Sequence, residues 1–109
     1  MTVFETASYI ARATKLLSED EQRAVVELVA REPASGVLIE GTGGIRKLRF
    51  AVGGRGKSGG VRVVYYFHSE AMPLYLLTLF AKNEKANLSK AERNALAELV
   101  TMLKRAHGR

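Results

Sequence analysis

The fold is decided by one stretch near the middle of the chain, Val61-Arg62-Val63-Val64-Tyr65-Tyr66-Phe67-His68. Branched and aromatic side chains fit a pleated, half-buried surface, so this composition predicts a central strand over residues 61–68. Successive side chains of a strand point to opposite faces of the sheet, which puts Arg62 on the face opposite to Tyr65 and Phe67. An unpaired guanidinium is not buried in a core, so Arg62 must face a groove or a buried partner.

Two neighbouring stretches extend this strand into a sheet. Ile45–Val52 alternates in polarity, whereas Leu74–Lys82 is almost continuously apolar and is expected to be buried on both faces. A glycine-rich loop over Gly53–Gly60 joins the first two strands, and a tighter turn at Glu70–Pro73 joins the second pair. The predicted unit is a three-stranded antiparallel meander.

Helices and a short strand surround this meander. Thr2–Thr6 is the predicted N-terminal strand, and a helix follows with Tyr9, Ala13 and Leu16 on one face. Two later helices begin at capping boxes, in which a serine lies three residues before a glutamate: Ser18 with Glu21, and Ser89 with Glu92. The order is strand, two helices, meander and helix.

This order predicts an α+β fold with a small antiparallel sheet, made of the meander and the N-terminal strand, and with the helices packed on one face. The chain has 109 residues, which suits one domain over residues 1–109. Its 47% hydrophobic residues can form an ordinary core without a disulfide or a structural metal.

Composition excludes several classes of function. Cysteine is absent, which rules out a thiol nucleophile and a thiolate metal site. Neither histidine, His68 nor His107, has metal-ligand spacing. Residues 1–20 contain no apolar run typical of a signal peptide, and no stretch is long enough to span a bilayer. We therefore expect a soluble, cytoplasmic protein with no membrane partner.

The positive charge is concentrated in one segment. The net charge is +6, yet no acidic residue occurs between Gly41 and Ser69. Six basic residues lie there, and the rest of the chain holds 11 basic and 11 acidic residues. A clustered field of this kind indicates a polyanion site, for which RNA is the favoured ligand. The alternative is a solvated basic surface that only keeps the protein soluble.

The run Gly53-Gly54-Arg55-Gly56-Lys57-Ser58 is not a nucleotide-binding P-loop. That motif needs a glycine where Ala51 stands and a helix directly after it, but here a strand follows. A glycine-rich hairpin can instead bring its backbone close to a phosphate chain, with Arg55 and Lys57 supplying charge. A plain hairpin loop with solubilising charge is the alternative.

A basic pair is predicted on the sheet itself. Lys82 ends the third strand of the meander and is expected to lie beside Arg62. Tyr66 and Phe80 flank the pair and could stack on bases. The alternative is that the two rings simply belong to the core.

Three blocks in series resemble the RelE superfamily of bacterial toxins, with the HigB type of type II toxin–antitoxin systems as the nearest branch. The blocks are Gly41-Thr42-Gly43-Gly44-Ile45-Arg46-Lys47-Leu48-Arg49, Gly56-Lys57-Ser58-Gly59-Gly60-Val61-Arg62-Val63-Val64-Tyr65-Tyr66, and Leu76-Leu77-Thr78-Leu79-Phe80-Ala81-Lys82-Asn83-Glu84. The resemblance covers nearly the whole chain, because the early helices and the serine-capped last helix fit as well.

The resemblance implies a ribosome-dependent endoribonuclease that cuts mRNA in the ribosomal decoding site and is silenced by a cognate antitoxin. The antitoxin is expected to be a helix-turn-helix protein. The toxin would bind operator DNA only through this antitoxin. The RNA's own 2′-hydroxyl would attack the adjacent phosphate, so no metal or other cofactor is expected. Arg62 would stabilise the transition state, with Lys82, Lys57 and Arg55 as further catalytic residues. The residues predicted to bind RNA are Arg46, Lys47, Arg49, Tyr66, Phe80, Asn83 and Lys85.

The general base stays open at this point. Several family members carry a late tyrosine or histidine near the site, and the candidates in this sequence are Tyr66, His68, Glu84 and His107. This gap leaves two alternatives: a ParE-type toxin of the same fold that poisons gyrase without cutting RNA, and a non-catalytic binding module. The Arg62 and Lys82 pair favours RNA cleavage.

Overall fold

The computed structural model describes residues 1–53 and 60–107, which form an α+β fold as predicted. Five strands and three helices occur in this part of the chain, in the order β1 (Val3–Glu5), α1 (Ala7–Leu16), α2 (Glu19–Arg31), β2 (Val37–Leu38), β3 (Ile45–Phe50), β4 (Val61–Tyr66), β5 (Leu74–Ala81) and α3 (Lys90–His107). The predicted catalytic residues Arg55 and Lys57 lie outside the described residues.

The strands form one sheet in the order β1-β5-β4-β3-β2, with β4 at its centre. The meander β3-β4-β5 is antiparallel, as predicted. β1 is parallel to β5, with Val3 opposite Leu74, so the sheet is mixed. The two-residue strand β2, which pairs antiparallel with β3, was not predicted because it is too short to show a periodic pattern.

Helices cover both faces of the sheet, and the prediction of a single helical layer is wrong. α1 and α2 pack Tyr9 and Val25 against Tyr65 and its neighbours. On the other face α3 packs Val100 against a second cluster that contains Tyr66. β4 and β5 are apolar on both faces, so one layer of helices would leave an apolar face in water.

A bulge in β5 sets which of its side chains face α3. Val64 is opposite Thr78 while Tyr65 is opposite Leu76, so one additional residue lies between these two pairs. Leu76 and Leu79 consequently share the face toward α1 and α2. Phe80 lies on the α3 face.

Both predicted capping boxes are present. The Ser18 hydroxyl accepts the N–H of Glu21 at 3.1 Å, and the Glu21 carboxylate accepts the N–H of Ser18 at 2.8 Å. Ser89 and Glu92 make the same pair of bonds, at 3.1 and 2.8 Å. The bonds satisfy donors that a helix N-terminus would otherwise leave unpaired.

Candidate nucleic-acid interface

Arg62 occupies the central strand of the sheet. It is half-buried and lies directly between Arg49 on β3 and Phe80 on β5. Directly paired residues share a face, so Arg49 and Arg62 point to the same side of the sheet. That side is the one opposite to Tyr65, as the alternation of the strand predicted.

The two guanidinium groups have no acidic counterpart nearby. Within residues 1–53 and 60–107, neither Arg49 nor Arg62 forms an ion pair or a side-chain hydrogen bond. Like charges directly opposite each other in a sheet are destabilising. Lys47, two residues before Arg49, adds a third cation to this face, and its Nζ donates to Asn87 Oδ1 at 2.9 Å. The three residues Lys47, Arg49 and Arg62, here called the basic face, form a surface that an anion would stabilise.

Lys82 is near this surface but not beside Arg62. β5 ends at Ala81, and the residue opposite Arg62 is Phe80 rather than Lys82. Lys82 begins the turn after β5, where its backbone N–H donates to the Gly60 carbonyl at 3.3 Å. The predicted direct pair is therefore replaced by a diagonal arrangement at the end of the sheet. Lys82 and Asn83 both belong to this turn, and both are exposed.

Lys85 lies in the segment between β5 and α3, and its side chain is paired with an acidic residue. Its Nζ forms an ion pair with the Glu92 carboxylate and lies 5.2 Å from the centroid of the Phe80 ring. The bond from Lys85 and the backbone bond from Ser89 hold the pKa of Glu92 below its ordinary value. The Lys85 ammonium thus lies over one face of the Phe80 ring.

Tyr66 and Phe80 do not form a stacking platform. Their exposed fractions are 1% and 2%, and both rings belong to the cluster that α3 covers. The prediction that they stack on bases is wrong for this arrangement, because stacking needs an open ring face. The Tyr66 hydroxyl finds no hydrogen-bond partner in the described chain, and burial raises its pKa.

Arg46 faces away from the basic face. It is paired with Tyr65, on the side of α1 and α2. Its Nη1 donates to the carbonyls of Ala34 and Gly36 at 3.1 and 2.7 Å. The prediction that Arg46 binds RNA therefore disagrees with the structure, because its guanidinium is hydrogen-bonded to the backbone of the loop between α2 and β2.

The remaining candidates for proton transfer differ in their surroundings. Glu84 is paired with Arg12, and His107 Nε2 is 2.6 Å from the Tyr75 hydroxyl. The ring of His68 is stacked against Tyr66 at a centroid distance of 6.4 Å. Of the four candidates, His68 alone is exposed without a hydrogen bond or ion pair to the described residues.

Sequence reasoning missed one group of residues near the interface. Arg12 on α1 crosses to the end of β5 and to Glu84, at the rim of a cleft of about 570 Å³ between α1, β5 and α3. Arg12 and Glu84 are 72 positions apart, so no local pattern relates them.

Neither a metal centre nor a membrane span is found in the part of the chain that the structure describes. No group of three or more histidine or acidic residues is arranged to hold a metal ion in residues 1–53 and 60–107. None of the helices in those two ranges combines the length and the apolar character that crossing a membrane requires.

Fold and surface together define a small α+β protein whose mixed sheet lies between two helical layers and carries an uncompensated cationic face. Among models of protein families, residues 1–108 match the one described as the RelE toxin of the RelE / RelB toxin–antitoxin system. The chain therefore belongs to the RelE toxin family, as its sequence blocks indicated. Its role is that of a toxin in a toxin–antitoxin pair, with a cognate antitoxin as partner. Assignment to the HigB branch stays a prediction.

Proposed function

We propose that this protein is a ribosome-dependent endoribonuclease, an mRNA interferase that acts in the cytoplasm and is neutralised by its antitoxin. The observation that supports this most directly is the pair Arg49 and Arg62, opposed on central strands without an acidic counterpart in the described chain. Such a pair is unfavourable in the free protein and favourable once a phosphate lies between or above the two groups.

Because the nucleophile is part of the RNA, the protein has to orient the RNA strand, stabilise negative charge at the phosphate and help to transfer protons. The 2′-oxygen of the RNA forms a bond to phosphorus, and the bond from phosphorus to the 5′-oxygen breaks. One proton leaves the 2′-hydroxyl, and one is delivered to the 5′-oxygen. Arginine suits the stabilisation of the transition state at phosphorus, because its planar guanidinium can donate to two phosphate oxygens as negative charge develops on them.

Roles follow from this scheme for the residues near the sheet end. Arg62 stabilises the transition state, and Lys82, in the adjoining turn, provides a second cation. Arg55 and Lys57 hold the RNA and assist proton transfer, a role that rests on the family resemblance. Lys47, Arg49 and Asn83 contact the RNA backbone. His68 is exposed and unpaired among the described residues, but it lies six residues beyond Arg62, about 20 Å along the strand direction, so it does not reach a phosphate held by Arg62 and the proton acceptor stays unassigned.

The second function is a non-catalytic one on the same surface, either a gyrase poison of the ParE type or a nucleic-acid-binding module. It is favoured by the state of the other candidate bases: Tyr66 is buried, and Glu84 and His107 are engaged. A binding module tolerates conservative changes at its cations, whereas a catalyst does not.

Substitution of Arg62 tests the proposal. We expect Arg62→Ala to remain folded and to lose about two to three powers of ten in the rate of mRNA cleavage. Arg62→Lys should recover little, because an ammonium cannot reproduce the bidentate contact. The measurement is primer extension on ribosome-bound message, with circular dichroism as the check of folding.

Arg23→Ala is the matched control, because it removes an exposed arginine of α2 that pairs with Asp20, far from the basic face. It should cut message at the parent rate. A folded Arg62→Ala protein that also cuts at the parent rate would end the catalytic assignment and favour the non-catalytic function.

A further inference from the structure

One side of β5 is only partly covered by a neighbouring strand. β1 pairs with Leu74–Leu76, and no strand of the described chain pairs with residues 77–81 on that side. Backbone groups at a sheet edge need other partners where water is excluded. Arg12 provides one from α1, since its Nε donates to the Leu79 carbonyl at 3.1 Å.

The same guanidinium reaches the turn that follows β5. A second nitrogen of Arg12 pairs with the Glu84 carboxylate. That carboxylate accepts the N–H of Ala81 at 2.9 Å, and the Glu84 N–H donates to the Ala81 carbonyl at 3.0 Å. The bond from Ala81 first, and the bond from Arg12 second, lower the pKa of Glu84. The carboxylate is therefore charged at neutral pH.

Separate contacts hold the other side of this turn. The Lys82 N–H donates to the carbonyl of Gly60, the residue before β4. Lys85 is fixed by Glu92 on α3 and by the Phe80 ring. Residues 82 and 83 consequently lie between an anchor on α1 and an anchor on α3.

We propose that Arg12 is a positioning residue that acts through Glu84 to hold Lys82 and Asn83 at the RNA-facing end of the sheet. Its consequence for catalysis rests on the proposed function. Lys82, Asn83 and Glu84 are all exposed, so the turn has little packing of its own and depends on these bonds for its conformation. A misplacement of about 1 Å in a catalytic constellation can cost about 100-fold in rate.

If the Arg12–Glu84 ion pair served only the stability of the whole protein, its removal would lower the unfolding midpoint without loosening this turn in particular. The Arg12 and Glu84 side chains are 36% and 42% exposed, and pairs this exposed add little to global stability. Removing the pair should lower the midpoint of thermal unfolding by no more than about 4 °C, while the turn loosens locally.

The test uses Arg12→Met, which keeps the aliphatic stem, and Glu84→Gln, which keeps the shape of the carboxylate. Arg23→Met is the matched control, because it breaks an exposed ion pair on α2 instead. Two quantities are measured on each full-length variant: amide hydrogen exchange at residues 82–85, and single-turnover cleavage of ribosome-bound message. The ribosome concentration is varied to separate the maximal rate from the concentration for half-maximal rate.

We expect both variants to speed exchange at residues 82–85 and to lower the maximal cleavage rate at least about tenfold. The concentration for half-maximal rate should change much less than the maximal rate, because Lys47, Arg49 and Arg62 keep their places and only the contact of Asn83 is weakened. The double variant should lose no more than the worse single variant, since both act along one path.

Exchange at the parent rate in folded Arg12→Met or Glu84→Gln would overturn the positioning role. Faster exchange with an unchanged cleavage rate would overturn its link to catalysis. If the parent protein cuts no message, the proposed function fails on its own, and the exchange measurement alone decides whether Arg12 holds the turn.

Discussion

At the scale of single residues, the two buried tyrosines of β4 differ in the hydrogen bonding of their hydroxyl groups. The Tyr65 hydroxyl accepts the N–H of Gly36 at 2.9 Å and donates to the Pro33 carbonyl at 2.8 Å. It thereby closes the connection between α2 and β2. The packing there is tight, because a Cβ added at Gly36 would lie 2.8 Å from that hydroxyl. The Tyr66 hydroxyl, one residue later, is buried without a partner in the described chain.

Substitution by phenylalanine should separate these two residues. Tyr65→Phe leaves the Gly36 N–H buried and unpaired, and we expect the free energy of unfolding to fall by about 1 to 3 kcal/mol. Tyr66→Phe removes a hydroxyl that is already unpaired, so it should be neutral or stabilising. Urea denaturation of the two variants measures both effects. Equal losses would contradict this interpretation, because the paired hydroxyl of Tyr65 would then contribute no more than the unpaired hydroxyl of Tyr66.

At the scale of elements, α2 and α3 each begin at a serine whose hydroxyl accepts the N–H of the glutamate three residues on. The two boxes have different consequences for the molecule. Ser18 caps a helix of the layer opposite to the basic face. Ser89 caps the helix that covers Tyr66 and Phe80, and its partner Glu92 also holds Lys85.

We therefore expect Ser18→Ala and Ser89→Ala each to lower the free energy of unfolding by about 1 kcal/mol. Ser8→Ala, at an exposed position in the first turn of α1, is the control and should cost little, because Thr6 rather than Ser8 caps that helix. The measurement is again denaturant unfolding. A loss at Ser8 equal to that at Ser18 would contradict the capping interpretation.

At the scale of the whole molecule, RNA binding depends more on which surface the basic side chains occupy than on the net charge of +6. Lys47 and Arg49 belong to the basic face, whereas Arg23 and Arg31 lie exposed on α2. Neutralising either pair removes the same amount of charge. Only the first pair can take phosphate contacts away from RNA bound on the basic face.

The double variant Lys47→Gln/Arg49→Gln should bind ribosomes or RNA more weakly, and its affinity should depend less steeply on salt. On single strands the log–log slope should decrease by about 0.7 for each phosphate that the protein no longer neutralises. Arg23→Gln/Arg31→Gln should keep the parent slope. An unchanged slope in the first double variant would exclude this face as the RNA-binding surface.

The sequence by itself determined the three helices, every strand except β2, and the faces of the central strand. Capping boxes and apolar periods involve residues close together in the chain, so the predicted starts of α2 and α3 agree with the structure. The alternation of β4 likewise predicted that Arg62 and Tyr65 face opposite sides. Local hydrogen bonds and side-chain periodicity are properties of a short segment, which is why they can be read without its surroundings.

Only the tertiary structure decided which surfaces stay open. α3 lies on the second face of the sheet and buries Tyr66 and Phe80, which the sequence left between core and interface. Arg46 turned out to bind backbone carbonyls, and Arg12 meets a glutamate 72 positions away. Burial and such long-range pairs depend on how separate elements pack, because an apolar or charged side chain takes whatever partner the assembled fold brings within reach.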